Sequence, residues 1–244
     1  ATVLLAWGAE EDSGYWSKAM ALRDQVPTLR HMIHVTSPGC TIDQPLPLGV
    51  LDLDALMAAQ PADHLVSGRR ILSDEVCAYF HTGGTTGSPK LARHTHGSQV
   101  FMAWSYVQMQ GLLPGDVAIN GFPLFHVAGV LPGSLAALSA GVHVVIPTTG
   151  LFRNRDVIRN YWKLVEKYHA TVLSGVSTVL TALTEVPLAG ADISTLRYAR
   201  TGAAPLTPEL AARFTKLFGL HIYETYGMTE MVGTSTVTPP GLKR

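Results

Sequence analysis

Hydrophobic residues along the chain follow two different spacings. Short continuous apolar runs, such as Val76–Thr82, Val142–Ile146 and Thr171–Ser174, are typical of buried strands. Between such runs, apolar residues recur every three or four positions, as in a helix. The clearest helical face consists of Val157, Tyr161, Leu164, Val165 and Tyr168. Alternating strands and helices predict an α/β fold of mostly parallel sheets flanked by helices.

The same spacings predict further elements. Additional strands are expected at Leu91–His96, Val117–Asn120, Leu196–Arg200 and His221–Thr225. Additional helices are expected at Ser98–Met109, Leu131–Ala140 and Thr178–Glu185. Asn154 and Thr207 are suitable N-caps for the helices that follow them, and Gly141 suits the left-handed position after a helix end.

A cluster of turn residues that interrupts the hydrophobic pattern predicts two lobes. The stretch G-L-L-P-G-D at 111–116 is rich in turn residues, so we expect a first lobe at 1–115 and a second at 116–244. The chain lacks an initiator Met and begins in an apolar, strand-like run. It ends in V-T-P-P-G-L-K-R, just after a turn signal. Both features lead us to expect a sequence truncated at both ends.

Composition and charge narrow the function classes. The chain is 47% hydrophobic and 15% charged, which is compatible with a substantial core. Its 18 basic and 18 acidic residues cancel, so no global attraction to nucleic acid or anionic membrane is expected. Cys40 and Cys77 match no metal-binding spacing and indicate a reducing compartment, which favours the cytoplasm. The uncharged stretch 117–152 is divided by Pro and Gly, so it predicts a buried strand–helix–strand rather than a membrane span.

One polar loop interrupts this apolar pattern. Residues 82–90 read T-G-G-T-T-G-S-P-K, between two predicted strands. Glycines let backbone N–H groups converge on an anion, threonines add donors and lysine adds a charge, which together suit polyphosphate. The spacing is not that of a Walker A motif, and a flap between strands is the better interpretation. An ordinary glycine-rich hairpin is the alternative.

Two later stretches also follow predicted strands. Residues 201–206, T-G-A-A-P-L, precede a capped helix and allow close approach of a ligand at the carboxyl edge of a sheet. Residues 223–230, Y-E-T-Y-G-M-T-E, offer aromatic rings, hydroxyls and a carboxylate able to bind Mg²⁺. Taken singly, the first could be a plain strand-to-helix turn, and the second could be structural.

In this order the three stretches resemble the motifs of the adenylate-forming enzymes. That superfamily includes acyl- and aryl-CoA synthetases, beetle luciferases and peptide-synthetase adenylation domains. P-L-F-H at 123–126 is similar to the form in acyl- and aryl-CoA synthetases. The resemblance covers about residues 75–240 and implies that both lobes belong to the large N-terminal domain of such an enzyme. Gly83 departs from the Ser of many members, which removes a hydroxyl but keeps the backbone donors.

The resemblance implies roles for individual residues. The phosphate loop would use Thr85, Thr86 and Lys90 as main donors to ATP, together with Thr82, Gly83, Gly84, Gly87 and Ser88. The floor beside adenine and the acyl pocket would be Gly202, Ala203 and Ala204. The base would be flanked by Glu224, Thr225 and Tyr226, the α-phosphate touched by Thr229, and Mg²⁺ held by Glu230. His126 would stand at the entrance of the acyl pocket, although a satisfied core histidine is the alternative.

The implied activity is ATP-dependent conversion of a fatty or aromatic carboxylic acid to an acyl-adenylate, then to a thioester of coenzyme A. Two alternatives remain: an adenylating enzyme with another acceptor, either carrier-protein pantetheine or oxygen, and a non-catalytic nucleotide-binding module. The small-molecule acid is the expected partner. Family members also carry a T-G-D aspartate for ribose and a lysine on a mobile C-terminal domain. Neither is found in this sequence, so we expect the 244 residues alone not to complete the reaction.

Overall fold

The computed structural model describes residues 1–8, 14–37, 39–42, 45–82 and 90–242. Contacts divide the chain into two compact units, Ala1–Arg70 and Ile71–Arg244. The predicted α/β class is confirmed in both. The predicted lobe boundary between residues 115 and 116 falls inside the second unit, and the lobes stay a prediction.

The first unit is a small parallel sheet with two helices. Its elements are β1 (Val3–Trp7), α1 (Tyr15–Arg23), β2 (His31–Val35), β3 (Val50–Asp52) and α2 (Leu53–Ala58). The strands lie in the order β1-β2-β3. A modest core of Ala19, Met32 and Val50 holds the unit together.

The second unit begins with an antiparallel hairpin, β4 (Val76–His81) and β5 (Leu91–Thr95), as the sequence predicts. The long helix α3 (His96–Gln110) follows directly. Thr95 begins this helix because its hydroxyl accepts a hydrogen bond from the Ser98 amide at 3.1 Å, while the Ser98 hydroxyl accepts one from the Thr95 amide at 3.0 Å. This reciprocal capping box satisfies backbone donors that a helix start otherwise leaves unpaired.

The rest of the second unit is built on a six-stranded sheet, with strand order β11-β10-β9-β8-β6-β7. Neighbouring strands from β7 to β10 are parallel, and β11 is antiparallel to β10. The elements are β6 (Val117–Ile119), α4 (Val127–Val130), α5 (Ala137–Ser139), β7 (His143–Val145), α6 (Arg155–Arg159), α7 (Tyr161–Tyr168), β8 (Val172–Ser174), α8 (Ser177–Thr184), β9 (Tyr198–Gly202), α9 (Pro208–Phe218), β10 (Ile222–Met228) and β11 (Gly233–Val237).

Two predicted helices differ in detail from the structure. The stretch predicted as one helix at Leu131–Ala140 begins as a π-helix, Leu131–Ala136, and only then becomes α5. Pro132 lacks the amide that a regular helical hydrogen bond needs, which favours this wider local winding. The helix predicted through Val157–Tyr168 is divided at Asn160. On its predicted apolar face, Val157, Tyr161 and Val165 are buried, whereas Leu164 and Tyr168 are half-buried.

Side chains along each strand of the sheet alternate between its two faces, and each face packs into an apolar core of its own. Ala118, Val172 and Tyr198 pack with α3 and the π-helix. Their sequence neighbours Ile119, Leu173 and Ala199 point the other way and pack with α7, α8 and α9. Because strand side chains alternate between faces, adjacent residues of one strand serve both cores. The sheet is therefore covered on both sides, and its carboxyl edge is the side left for a ligand.

Candidate functional site

A cleft of about 640 Å³ opens at the carboxyl edge of the six-stranded sheet. Segments that follow β6, β8 and β9, together with the end of β10, line it. Parallel strands bring their carboxyl ends to one edge, so residues distant in sequence meet there. The volume is in the range of cavities that hold small organic ligands. All of the lining residues lie in the second unit.

Asn120 fixes one wall of the cleft. Its buried side-chain Nδ2 donates to the Gly129 carbonyl at 2.9 Å and to the Ser134 hydroxyl at 3.0 Å. Its Oδ1 accepts a hydrogen bond from the Phe122 amide at 3.1 Å. These bonds join the end of β6, the loop 121–126 and the helices after it. The P-L-F-H stretch is thus flanked on both sides by residues bonded to this interior amide, and the His126 amide also donates to the Pro123 carbonyl at 3.0 Å.

His126 ends this loop and begins α4. Its Nδ1 accepts a hydrogen bond from the Ala128 amide at 3.1 Å, so the imidazole serves as the N-cap. Although the residue as a whole is exposed, loss of water around the ring lowers the pKa of His126, and the nearby His81 lowers it further. Both effects favour the neutral ring, the form that can accept this hydrogen bond.

The β9 edge is a place of close backbone approach. A Cβ atom on Gly202 would lie 2.4 Å from Thr225 Oγ1 and 2.9 Å from the Thr225 carbonyl oxygen. The Thr225 hydroxyl in turn donates to the Thr201 carbonyl at 3.1 Å. The next residue, Ala203, has a φ of 67°, a left-handed conformation that is costly for a residue with a Cβ. The turn after β9 is therefore tightly constrained by its neighbours.

The end of β10 supplies a hydroxyl and a carboxylate. Thr229 and Glu230 both line the cleft, in a short 3₁₀ turn between β10 and β11. The Thr229 carbonyl is hydrogen-bonded to Nε2 of buried His94 at 2.7 Å, which links the turn to β5. Gly227 sits so close to β11 that a Cβ would lie 1.6 Å from the Gly233 carbonyl oxygen.

The polar loop joins β4 to β5, and its base is closed. The Thr82 amide donates to the Lys90 carbonyl at 2.8 Å, and Thr82 lines the cleft. The predicted phosphate-loop residues Gly83, Gly84, Thr85, Thr86, Gly87 and Ser88 lie outside the described residues. The antiparallel pairing of β4 and β5 confirms that the loop lies between two strands, and the flap itself stays a prediction.

The remaining predicted site residues divide into two groups. The cleft brings together Thr82, His126, Gly202, Ala203, Thr225, Thr229 and Glu230. The residues that do not line it are Lys90, Ala204, Glu224 and Tyr226. Lys90 and Tyr226 are exposed, and the Glu224 carboxylate accepts a hydrogen bond from the Leu206 amide at 3.0 Å. Glu224 thereby fixes the T-G-A-A-P-L turn. The roles of all of these residues stay predictions.

The cleft also contains polar groups that the sequence patterns did not indicate. Arg200 on β9 is only 4% exposed, and its Nε donates to the Ser174 hydroxyl at 2.5 Å. Its guanidinium carbon lies 4.9 Å from the centre of the Tyr106 ring. Burial raises the pKa of Tyr106 to about 12, and the positive charge of Arg200 opposes part of this rise. An arginine at the end of a predicted strand, directly before the T-G-A-A-P-L stretch, was the available signal.

Metal ligands in the cleft are few. Within the described residues, no group of three or more His, Cys, Asp or Glu side chains could hold a metal ion. Glu230 is the carboxylate among the described lining residues. A magnesium ion here would therefore need oxygens from a bound phosphate and water, which is the usual way this ion is held.

Among the helices of the described residues, none combines the length and the apolar character that a membrane span requires.

Solved structures share the fold. An anthranilate CoA ligase in complex with anthranoyl-AMP superposes on the whole chain with a TM-score of 0.82 at 20% identity, over 44% of its own length. A long-chain-fatty-acid-CoA ligase from Archaeoglobus fulgidus covers 98% of the chain with a TM-score of 0.76 at 23% identity, over 45% of its length. The predicted likeness to the large N-terminal domain of adenylate-forming enzymes is confirmed as a likeness of fold.

Curated relatives extend the comparison. A marinolic acid–CoA ligase from Pseudoalteromonas sp. is 31% identical over 94% of this chain and 35% of its own length. An oxalate–CoA ligase from Arabidopsis thaliana is 29% identical over 84% of this chain and 38% of its own length. The chain thus spans little more than a third of the curated relatives it matches. The AMP-binding enzyme family matches residues 17–244, and the chain belongs to this family.

Proposed function

We propose that the protein activates a carboxylic acid with ATP and passes the acyl group to coenzyme A. The observation that supports this most is the convergence of Thr82, His126, Gly202 and Glu230 on one cleft from four separate segments. Hydroxyls, close backbone and a carboxylate at one sheet edge suit a nucleotide beside an acid. The relatives and the solved structures named above, all CoA ligases, agree with this activity.

The proposed nucleotide contacts come from three stretches. The loop at 82–90 closes over the phosphates, with Thr85, Thr86 and Lys90 as donors. The residues beside the adenine are Gly202, Ala203, Ala204, Glu224, Thr225 and Tyr226. Thr229 contacts the α-phosphate. Backbone amides and hydroxyls are suited to this task because they stabilise anionic oxygens without carrying a charge that must itself be neutralised.

The proposed reaction has two steps. A carboxylate oxygen of the acid attacks the α-phosphorus of ATP, and the bond to pyrophosphate breaks, which gives an acyl-adenylate. The sulfur of coenzyme A then attacks the acyl carbon after losing its proton, and AMP leaves. Positioning of the two anions is the main task of the protein, with His126 at the entrance to the acyl pocket.

Magnesium is the expected metal, held by Glu230. When bound, the ion offsets negative charge on the phosphate oxygens. A single carboxylate in the cleft fits an ion that retains several waters and phosphate oxygens as ligands. Glu230 would orient the ion from the turn that His94 holds at its Thr229 carbonyl.

The acid is not defined by the relatives, whose names refer to different acids. They include marinolic acid and oxalate, and a feruloyl-CoA synthase from Amycolatopsis sp. that is 33% identical over 64% of this chain and 31% of its own length. Small, aromatic and larger acids are therefore all represented. The identity of the acid depends on the side chains that line the inner part of this particular cleft.

Carboxylate-dependent exchange of labelled pyrophosphate into ATP tests the first step in the full-length protein. Lys90→Ala should reduce this exchange about 100-fold, since a charge donor to the phosphates is lost. Its thermal stability should not change, because Lys90 is exposed. Lys163→Ala, on the exposed side of α7, is the matched control and should retain full exchange. Equal exchange by both variants at saturating ATP would rule out the phosphate-loop role.

Glu230→Gln and a change of acceptor separate the alternatives. The Gln variant should lose most of the magnesium-dependent exchange while its shape is kept, and an unchanged magnesium titration would remove Glu230 from the site. Release of AMP that requires coenzyme A supports the proposed acceptor, whereas dependence on carrier-protein pantetheine or on oxygen contradicts it. ATP binding without exchange for any acid would indicate a nucleotide-binding module instead.

A further inference from the structure

Arg200 lies in the inner part of the cleft rather than at its mouth. It lines the cleft from β9 and alternates with Tyr198 and Gly202 on the face that meets α3. Its side chain is held in place by the bond from Nε to the Ser174 hydroxyl and by the Tyr106 ring 4.9 Å away. The guanidinium is thus positioned by two neighbouring elements, β8 and α3.

The charge of this guanidinium has no protein counterpart. In residues 71–82 and 90–242, no acidic side chain forms an ion pair with Arg200, and its buried Nη1 has no hydrogen-bond partner. Residues 83–89, G-G-T-T-G-S-P, contain no acid at all. A guanidinium stays charged in proteins, and a buried charge without a partner is strongly unfavourable. A negatively charged group in the cleft would supply the missing partner.

The position along the strand indicates which part of a ligand this would be. Arg200 precedes Gly202 by two residues, so its Cα lies about 7 Å below the sheet edge. The proposed nucleotide contacts, Gly202, Ala203 and Thr229, are at that edge. The carboxylate being activated must meet the nucleotide there. Arg200 therefore faces the opposite end of the acid, in a cleft whose lining also includes the apolar residues Val127 and Phe122.

We propose that Arg200 determines specificity by binding a second anionic group at the distal end of the acid, so that the preferred substrates are terminal dicarboxylic acids. The inference rests on the proposed function and names the substrate class for the same cleft. A planar guanidinium presents a fork of donors that matches a carboxylate in two-bond geometry. An acid that ends in a methyl group would leave this charge without a partner, as it is in the free protein.

The test uses acids that differ only at the distal end, in the full-length protein. Adipate is compared with hexanoate, and glutarate with valerate, by kcat/KM in pyrophosphate exchange. The wild-type protein should favour each dicarboxylate at least about 30-fold over its matched monoacid, because loss of a charge-paired contact in a desolvated site is costly. This ratio needs no variant, so it stands even if a substitution disturbs folding.

Variants then assign the preference to Arg200. Arg200→Met should reduce the dicarboxylate-to-monoacid ratio by about 30-fold or more, with monoacid activity kept or increased. Arg200→Lys should recover only part of the ratio, since it keeps the charge but not the fork. Arg153→Met removes an exposed arginine that lines the same cleft beside Phe125, and should leave the ratio within about twofold.

The outcomes separate this inference from the proposed function. Exchange with monoacids as efficient as with dicarboxylates upholds acid activation and overturns the role of Arg200. If Arg200→Met loses activity equally toward dicarboxylates and monoacids, so that the ratio is unchanged, the inference is also overturned and Arg200 is a structural residue. If no acid of either kind supports exchange, the proposed function fails and the inference fails with it.

Discussion

Arg197 immediately precedes β9, whereas Arg200 is the central residue of that strand, and the two differ in what surrounds their charges. Arg197, just before the strand, is paired with Asp116 and also donates to the Gly111 carbonyl at 3.3 Å. The Asp116 carboxylate further accepts hydrogen bonds from the Thr171 hydroxyl at 2.7 Å and the Leu113 amide at 2.8 Å. Arg200, three residues further along, bonds to one neutral hydroxyl and has no carboxylate partner in the described residues.

The contrast distinguishes polar groups that satisfy one another within the fold from polar groups that have no partner in the protein. At the amino edge of the sheet, the charges and donors of Asp116, Arg197 and Thr171 satisfy one another, so the network needs no ligand. At the carboxyl edge, both Arg200 Nη1 and Thr201 Oγ1 are buried without partners. Buried polar groups are almost always satisfied in folded proteins, and exceptions point to strain or to a missing ligand. Arg197 therefore contributes to folding, whereas Arg200 and Thr201 leave polar atoms available for the proposed ligand.

The largest predicted difference in stability comes from the same substitution, arginine to methionine, made at Arg197 and at Arg200. Arg197→Met should lower the free energy of unfolding by about 3 kcal/mol, because it leaves the buried Asp116 carboxylate without its ion-pair partner. Arg200→Met should change it by less than about 1 kcal/mol, because relief of the unpaired charge offsets the lost contacts with Ser174 and Tyr106.

Urea unfolding of both variants measures this difference. Arg159→Met is the control, since its ion pair with Asp156 is exposed and should contribute little. A second control is Arg197→Met combined with Asp116→Asn, which removes the uncompensated charge and should recover part of the loss. Equal destabilisation by Arg197→Met and Arg200→Met would show that Arg200 contributes as much to the stability of the fold as Arg197 does.

A second prediction concerns the close packing of the carboxyl edge. Gly227→Ala should lower the free energy of unfolding by about 2 kcal/mol, because the new methyl group would collide with the Gly233 carbonyl, a backbone atom that cannot move alone. Gly150→Ala is the control, since its nearest contact would be 3.2 Å from Asn154 Cβ. Thermal and urea unfolding measure the stability of the two variants. Equal stability of Gly227→Ala and Gly150→Ala would contradict the predicted collision.

The smallest predicted effect concerns pH at His126. Because its pKa is lowered in the folded protein, the neutral ring contributes stability that is fully present above the ordinary histidine pKa of about 6.5. This contribution is lost as pH falls through the lowered folded pKa, where Nδ1 gains a proton and can no longer accept from Ala128.

The comparison is with His126→Asn, which can cap α4 at any pH. Wild type should gain stability relative to the Asn variant between pH 5.0 and 7.5, by under about 1 kcal/mol. A difference that is constant across this range, measured by urea unfolding at each pH, would contradict the proposed neutral cap.

The regular elements could be predicted from sequence because their spacing reflects burial directly. The apolar face from Val157 to Tyr168 and the caps at Asn154 and Thr207 all agree with the structure. The break at Asn160 and the π-helix that begins at Leu131 were not predicted, because the spacing of apolar residues is the same whether the winding is regular or locally altered. Spacing reports which side of an element is buried, but not whether the element is continuous.

The site was predictable only where short motifs marked it. Gly202, Thr229 and Glu230 lie in such motifs and do meet in one cleft. Arg200 and Asn120 were not recognised, because a polar residue at the end of a predicted strand does not reveal its partners. Only the fold shows that Asn120 spans two chain segments and that Arg200 finds no carboxylate.

The hydrogen bond between His94 and the Thr229 carbonyl has a thermodynamic consequence. It joins two residues 135 positions apart, one on the hairpin that carries the polar loop and one in the turn that carries Glu230. If phosphate binds the polar loop and a metal ion binds Glu230 as proposed, a ligand that shifts one hydrogen-bonded partner would change this bond, and its binding would alter affinity at the other place. Such linkage would be reciprocal: the free energy that bound phosphate contributed to metal affinity would equal the free energy that the metal contributed to phosphate affinity.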